Sequence, residues 1–425
     1  NRRGYQQQTN TNLNSSLILD WGLDFITKGL STKFMISFDS KAQTTLQGVR
    51  SYDAYGVSVA RTPDEQSYYT EVRVNQNDAI SLSKSMATNY YMNMQYSLNY
   101  ARKFGLHDIT GMALVQRDNW QKYEADLPYN LLGVSARATY AYDSRYLGEV
   151  NIGYNGSEQF AKGHRFGFFP AFSAGWVVSN EDFMKENKVI SNLKLRASYG
   201  KVGNDKFGST RFLYLSSISL GDAGVIPSLG RGKYISQGKL GNTDLSWEIA
   251  YKQNYGVDIQ FLKEFSVTFD YFKEKREGVL ISRGTVPELQ GVALENLPKV
   301  NMGIIDNHGY EMEATYNKRL NSDWSFTVKG NFAYNKNTQR FMDEAKKTED
   351  YAYQYRNTGY SIGQCFGYKI DYSNGNGYIN TQEELDKALN TYQVGGTPRL
   401  GDFVYVDVNE DGVINEKDMA PIKYS

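Results

Sequence analysis

Side chains alternate between apolar and polar over many long segments of this chain, and this pattern limits the fold more than any other feature. Within residues 193–200 the apolar set is Leu193, Leu195, Ala197 and Tyr199, and the polar set is Lys194, Arg196 and Ser198. Successive side chains of a β-strand point to opposite faces of the sheet. The segment is therefore predicted to be a strand with one apolar face and one charged face.

The same alternation occurs in neighbouring segments, which predicts antiparallel hairpins. Residues 255–261 and 265–271 both alternate, and only the turn Leu262-Lys263-Glu264 separates them. Residues 310–316 are followed across a short polar turn by a second alternating segment at residues 324–332. Two alternating segments joined by a short turn are typical of a β-hairpin.

The connections between these strands alternate between short and long. Short turns are expected near Asp143, Lys263 and Ser322, and long connections at residues 155–164, 202–242, 278–308 and 337–360. Outer-membrane β-barrels have short turns at one end of their strands and longer loops at the other. Aromatic residues, which concentrate at membrane–water interfaces, lie near the predicted strand ends at Tyr146, Tyr154, Trp176, Tyr199, Tyr271 and Trp324.

The composition argues against several classes of protein. The formal net charge is zero, with 47 basic and 47 acidic residues, whereas nucleic-acid-binding proteins normally carry a basic excess. One cysteine cannot form a disulfide within the chain, and with only three histidines a Cys/His zinc cluster is not expected. No apolar run reaches the ~18 residues of a membrane-spanning helix.

A large soluble β protein with one solvated face per sheet would show the same alternation. The predicted polar face, however, carries charges along whole strands, as at Lys194 and Arg196 and at Glu311 and Glu313. Such a face suits the water-filled lumen of a membrane barrel. Glu311 and Glu313 also invite comparison with the carboxylate pair of a glycoside hydrolase, but their place on one strand face favours lumen charge.

Ten segments of the chain match a known family in order and spacing, from about residue 140 to the end. They are residues 166–176, 181–184, 190–200, 203–205, 242–248, 270–272, 307–311, 363–368, 401–402 and 407–412. In these segments the sequence resembles the barrel of the SusC/RagA type of TonB-dependent outer-membrane transporter of Bacteroidetes. Residues 307–311 depart from the family pattern at two positions.

The resemblance implies an all-β fold, an antiparallel transmembrane β-barrel of about 22 strands with a plugged lumen. Residues 1–425 are predicted to form one partial barrel domain, with extracellular loops at about residues 202–242, 278–308, 337–360 and 371–425. The plug and the final strands are expected to lie outside this sequence.

The resemblance also implies a function and its partners. A transporter of this type imports large nutrients, oligosaccharides or peptides, that a SusD-like surface lipoprotein delivers. The TonB-ExbB-ExbD complex energises import, and outer-membrane lipid surrounds the barrel. Tyr234 and Tyr351 in the long loops are candidate ligand contacts. The alternative is a surface-exposed adhesin, or a soluble β-rich carbohydrate-binding protein, without transport.

Residues 407–418 match the calcium-binding loop of about twelve residues found in EF-hand sites. The candidate metal ligands are Asp407, Asn409, Asp411, the carbonyl of Val413, and Asp418. Gly412 stands where the loop needs a sharp turn, and Asp418 replaces the longer Glu that usually closes the site. The loop is either a calcium site or an acidic extracellular turn without a metal, and no other cofactor is expected.

Residues 371–380 resemble this loop, but Tyr372 would stand at the first ligand position. We therefore expect a degenerate loop that leads into a short helix at residues 381–389. No arrangement of Ser, Cys, His and acidic residues indicates catalysis, and Cys365 is expected to be a small packed side chain.

Overall fold

A computed structural model describes residues 4–50, 54–58, 68–73, 79–122, 127–208, 210–226, 230–346 and 356–422. Strands dominate these residues, and the α-helix among them is α1 (Gln382–Thr391). None of the helices in the described part is long and apolar enough to cross a membrane.

The strands vary from two to 24 residues in length. They are β1 (Gly4–Gly22), β2 (Leu30–Val49), β3 (Ala54–Ser58), β4 (Tyr68–Arg73), β5 (Ser81–Phe104), β6 (His107–Gln121), β7 (Tyr129–Tyr142), β8 (Tyr146–Ser157), β9 (Phe166–Val177), β10 (Ile190–Asn204), β11 (Ile218–Ile226), β12 (Gly230–Gln237), β13 (Glu248–Phe261), β14 (Phe265–Ile281), β15 (Val300–Arg319), β16 (Ser325–Phe341), β17 (Phe366–Gly367) and β18 (Ala420–Pro421).

Twelve of these strands form one sheet in the order β1-β2-β5-β6-β7-β8-β9-β10-β13-β14-β15-β16. The strand order therefore follows the chain. The pairs β3–β4 and β11–β12 are separate hairpins within long connections, and β17 pairs with β18. Long antiparallel strands confirm the fold class that the alternating pattern predicts.

The chain divides into two compact units. The first contains residues 1–101 and 112–135, and the second contains residues 102–111 and 136–425. The first unit is built on the long pairings of β2 with β1 and with β5. The second contains the strands from β8 onward, the helix α1 and the small strands β17 and β18.

Two of the predicted short turns have the backbone that tight hairpins require. Asp143 and Ser144 have φ of 48° and 54°, and Leu262 and Lys263 have φ of 50° and 61°. Two successive residues with positive φ are typical of a type I′ turn, whose twist matches that of the flanking strands. The turns expected near Asp143 and Lys263 are confirmed.

Three predicted connections are shorter than expected because strands run further into them. β14 continues to Ile281 and β15 begins at Val300, so the expected loop at residues 278–308 is reduced to residues 282–299. The pairing shifts register near Gly278, whose φ is +67°, and a bulge of this kind breaks the period that marks a strand. Likewise, β10 extends to residue 204 and β16 to residue 341.

Other boundaries also differ. The polar sequence of residues 117–130 predicts a connection between two strands, but β6 continues to Gln121 and β7 already begins at Tyr129. The sequence also predicts a strand at residues 211–218, but the strand there is β11, which begins at Ile218. The helix expected at residues 381–389 is α1, Gln382–Thr391. The sequence further predicts a polar turn at residues 61–65, which lies outside the described residues.

An aromatic cluster is buried where the long connections meet the ends of β9, β10 and β13. Phe160, Leu245, Trp247 and Phe169 are all at most 8 % exposed. The Trp247 ring packs on Phe169 at 5.2 Å and on Phe160 at 5.4 Å, and its Nε1 donates to the Arg165 carbonyl at 3.0 Å. The cluster closes this end of the sheet and fixes the connection that follows β8.

Candidate functional site

One face of the sheet carries a continuous apolar row across seven strands. In register, the row contains Tyr146, Trp176, Leu195, Val257, Phe269, Met312 and Phe332. All of these except Val257 are at least 37 % exposed. Soluble monomers rarely leave so large an apolar patch uncovered, so the row defines a lipid-facing surface.

The aromatic strand β9 separates two environments. Phe168, Phe172 and Trp176 are exposed on the apolar face, whereas Phe169 points to the other face and is buried against Trp247. The Trp176 indole donates from Nε1 to Oε1 of Glu181 at 2.9 Å, at the short-turn end of the strand. A ring with an apolar body and one polar contact suits a membrane interface.

The opposite face is polar, and its charges are paired across strands. Arg196 of β10 donates from Nη2 to Oδ2 of Asp270 (2.7 Å) on β14 and from Nε to Oδ2 of Asp258 (3.1 Å) on β13. Gly256 lies in register with Arg196, and a Cβ there would lie 2.5 Å from the guanidinium carbon. The glycine therefore leaves the space that the guanidinium occupies.

Further ion pairs lie along the polar sides of the strands. They join Arg137 to Glu149, Lys252 and Arg276 to Glu274, and Lys329 to Glu313. The pairing of Glu313 with Lys329 at 2.8 Å fits the interpretation of Glu311 and Glu313 as wall charges. Exposed pairs of this kind stabilise little individually, but they keep the face hydrophilic.

Residues 366–421 form a small lobe in which two similar loops pack together. In each loop, the residue that caps the following helix donates its backbone N–H to a carboxylate three residues later. Thr381 donates to Glu384 at 3.2 Å, and Asn415 donates to Asp418 at 2.8 Å. Both contacts belong to capping boxes. Reciprocal capping satisfies backbone donors that a helix leaves free.

The first of these loops is filled by its own amide groups, as expected for a degenerate loop. Nδ2 of Asn374 donates to Glu384 Oε1 at 3.0 Å and to the Tyr378 carbonyl at 2.7 Å. Asn376 and Asn380 exchange side-chain hydrogen bonds at 2.9 and 3.0 Å. The Asn374 amide, followed by the backbone N–H of Asn380, lowers the pKa of the Glu384 carboxyl below its ordinary value.

The second loop contains the predicted calcium ligands. The Asp407 carboxylate accepts N–H groups from Asp411 (3.3 Å) and Gly412 (2.7 Å), and Gly412 has φ of +83°. Asn409 donates from Nδ2 to Asp411 Oδ2 at 2.9 Å, so Asp407, Asn409 and Asp411 are brought together. The N–H of Val413 donates to Asp411 Oδ1 at 2.9 Å.

The remaining predicted ligand, Asp418, is completely buried. Its Oδ1 accepts the Val408 N–H and its Oδ2 accepts the Asn415 N–H, both at 2.8 Å. It therefore closes the loop onto its own backbone. Across the described ranges, no group of three or more His, Cys, Asp or Glu side chains is arranged to hold a metal ion.

Three other residues that the sequence analysis singled out can be compared with the structure. Cys365 is exposed, so the expectation of a packed side chain is wrong; it lies beside β17 at the surface of the lobe, where little covers it. Tyr234 belongs to β12, but the structure does not describe its side chain. Tyr351 lies outside the described residues. The two tyrosines remain predictions as ligand contacts.

A long antiparallel sheet with an exposed apolar face, an ion-paired polar face, and alternating short and long connections defines the wall of an outer-membrane β-barrel. Residues 1–411 match the family model described as TonB dependent receptor-like, beta-barrel. The chain belongs to this family, and the resemblance to its SusC/RagA type is confirmed. The barrel is located in the outer membrane.

Relatives of known class agree with this family assignment. The chain is 29 % identical over 324 residues to the TonB-dependent receptor P39 of Formosa agariphila, a match that covers 69 % of this chain and 30 % of that protein. It is 25 % identical over 295 residues to the TonB-dependent receptor SusC of Bacteroides thetaiotaomicron, with 68 % and 28 % covered. The chain thus spans less than a third of these relatives.

The fold is also that of a solved complex, the RagAB peptide transporter. The TM-score is 0.68 at 17 % identity, and the match covers all of this chain and 45 % of that chain. A second structure, the RagAB peptide importer in its closed-closed state, gives a TM-score of 0.69 at 16 % identity. These matches establish the architecture of the sheet.

Proposed function

We propose that this chain forms barrel wall and extracellular loops of a transporter that imports large nutrients, oligosaccharides or peptides. A SusD-like lipoprotein delivers the nutrient, the TonB-ExbB-ExbD complex supplies the energy, and the chain has no catalytic role. The observation that carries the proposal is the two-faced sheet. Its apolar row from Tyr146 to Phe332 suits lipid, and its paired charges around Arg196 suit a hydrated passage.

The relatives support the energy source and the partner. The curated relatives are TonB-dependent receptors, and one of them is a SusC protein. The solved complexes are a peptide transporter and importer. The solved complexes favour peptides, and the oligosaccharide class is kept because the resemblance to the SusC/RagA type implies it. A soluble carbohydrate-binding protein is not compatible with an outer-membrane barrel.

The test is uptake by cells that carry the full-length protein. A strain lacking the gene is complemented with wild type, and import of fluorescent oligosaccharide and peptide mixtures is measured with and without functional TonB. We expect import of one mixture, which depends on the gene, on TonB and on the neighbouring lipoprotein. Surface binding without import, equal in TonB-deficient cells, would favour the adhesin alternative.

We also propose that residues 407–418 bind one calcium ion through Asp407, Asn409, Asp411 and the Val413 carbonyl, with Asp418 closing the loop. The side chains of Asp407 and Asp411 are adjacent, and each carboxylate oxygen keeps a lone pair beyond the N–H that it accepts. Hard oxygen ligands of this kind suit calcium. The positive φ of Gly412 supplies the required turn.

Calcium titration of the full-length protein by calorimetry tests this site. Asp411→Ala removes a proposed ligand and should abolish the binding heat. Glu410→Ala is the matched control, because Glu410 carries the same charge next to Asp411 but occupies no ligand position. Equal heats in wild type and Asp411→Ala would show that the loop is an acidic turn.

A further inference from the structure

The lipid face ends, beside the short turns, in a strip of packed rings. Tyr146, which begins the apolar row, stacks with Tyr142 at 6.5 Å between ring centroids, and Tyr142 packs with His107 at 5.1 Å. Nδ1 of His107 is hydrogen-bonded to the Tyr140 hydroxyl at 2.8 Å. The three tyrosines are 37–49 % exposed. We name these four residues the rim strip, and it places one imidazole at the edge of the lipid-facing surface.

The turn between β5 and β6 adds a guanidinium to the rim strip. β5 ends at Phe104 and β6 begins at His107, and Gly105 has φ of +60°, as the first central residue of a type II′ hairpin turn requires. A two-residue turn sets Phe104 opposite His107 and Arg102 diagonal to it on the same face, about 7–8 Å away and within reach of a long side chain. The Arg102 guanidinium carbon lies 4.6 Å from the centroid of the Phe104 ring.

The positive charge of Arg102 is not balanced. Among the residues that the structure describes, no carboxylate pairs with its guanidinium. Asp108 follows His107 in β6 and therefore points to the opposite, polar face. Asp143, in the adjacent turn, is held by Nε of Arg145 at 2.9 Å. Stacking on a ring leaves the N–H groups of an arginine available to an anion, so the strip combines apolar rings with an open cationic group.

The position of the strip decides which anion it can meet. Short turns of an outer-membrane barrel lie on the periplasmic side, where the leaflet consists of phospholipids. Amphipathic rings lie at the level of the headgroups, and an arginine places its apolar stem along the rings while its charged end stays in the polar layer. The anionic group within reach of Arg102 is therefore a lipid phosphate.

We propose that the rim strip and Arg102 bind the headgroup of an anionic phospholipid. Arg102 donates to the phosphate, and its planar guanidinium suits two phosphate oxygens at once. The Tyr140 hydroxyl donates to Nδ1 of His107 in the tautomer that carries its proton on Nε2, and that N–H is a second donor. The acyl chains lie along Tyr146 and the apolar row. A zwitterionic lipid would also bring a cation, and the carboxylate of the adjacent turn, Asp143, is already paired.

Native mass spectrometry of the full-length receptor in detergent tests this site. The receptor is mixed with equal amounts of phosphatidylglycerol and phosphatidylcholine that carry the same acyl chains. We expect wild type to retain phosphatidylglycerol preferentially, and Arg102→Gln should reduce this preference about fivefold. Lys103→Gln is the matched control, because it removes the same charge from the next residue, whose side chain points to the polar face. It should keep the preference.

A photoreactive phosphatidylglycerol gives a direct readout on the wild-type protein even where Arg102→Gln fails to fold. Peptide mapping that locates the label within residues 102–107 or 140–146 supports the site. Equal retention of the two lipids by wild type, a preference that persists in Arg102→Gln, or an equal fall in both variants would each overturn it. Release of the lipid by excess inorganic phosphate would also overturn it, because the site would then hold a free anion.

Discussion

Gly203 of β10 has no room for a side chain, and Gly203→Ala should therefore destabilise the protein strongly. A Cβ at this position would lie 2.2 Å from Cζ of Phe169 and 2.9 Å from Cε3 of Trp247. The Phe169 distance is about 1.3 Å shorter than the ~3.5 Å at which carbon atoms make contact. Both rings are buried, and Trp247 is held by its hydrogen bond to the Arg165 carbonyl.

The size of the destabilisation follows from the displacement of the two rings that the new methyl group requires. Overpacking a filled site costs about 1–3 kcal/mol, and losing the edge-to-face contact of Phe169 with Trp247 adds about 1 kcal/mol. We expect a loss of about 2–4 kcal/mol in the free energy of unfolding. Gly148→Ala is the matched control, because its Cβ would meet nothing within 4 Å and the change should stabilise by about 0.5 kcal/mol.

Urea unfolding of the full-length receptor in detergent, followed by tryptophan fluorescence, measures both variants. Phe169→Leu in the Gly203→Ala background should recover part of the loss, because it makes room for the new methyl group. Equal unfolding midpoints for Gly203→Ala and Gly148→Ala would refute the packing of the two rings against Gly203.

Three further predictions concern the two faces of the sheet and the lobe. Phe172→Lys places a charge on the lipid face and should lower the stability of the folded barrel by about 2–4 kcal/mol, whereas Ser173→Lys on the polar face should change it little. The folded fraction of each variant is measured by heat-modifiable migration in gel electrophoresis. Equal folded fractions would contradict the assignment of the two faces. Arg196→Met should cost about 1–2 kcal/mol, discounted for the partial exposure of the pair, and Asp270→Asn should recover part of this; a double-mutant cycle without coupling would exclude the pairing. The pKa of Glu384 is lowered in the folded state, so its contribution to helix capping is present above the unfolded carboxyl pKa of about 4.3 and is lost as pH falls through the lower folded value. Hydrogen exchange of α1 amides should show acid-dependent loss of protection in wild type, and Glu384→Gln should remove that pH dependence.

The sheet could be predicted because its signal is local. Leu195 and Arg196 differ in polarity and are neighbours in sequence, so one short window assigns both to their faces. The tight turns at Asp143 and Lys263 were visible for the same reason. A bulge near Gly278 inserts one residue into the alternation of apolar and polar side chains. The alternation therefore predicts a loop where β14 continues.

The parts that sequence could not predict depend on residues far apart in the chain. Phe160 meets Trp247 across two strands and a long connection, and no window contains both. The sequence predicts that Asp118 lies in a polar connection, because its partners Tyr91 and Asn93 lie on another strand. A polar residue that is buried by distant neighbours carries no local mark of its burial.

The agreement between strand order and chain order has a consequence for how the protein folds. Most strands of the large sheet pair with the strand just synthesised, so the sheet can grow one hairpin at a time from local contacts. The pairings of β2 with β5 and of β10 with β13 differ, because each must first close a long connection. We therefore expect these two pairings to be the slow steps of sheet assembly. Before each of them, the partly formed sheet has an unpaired edge strand.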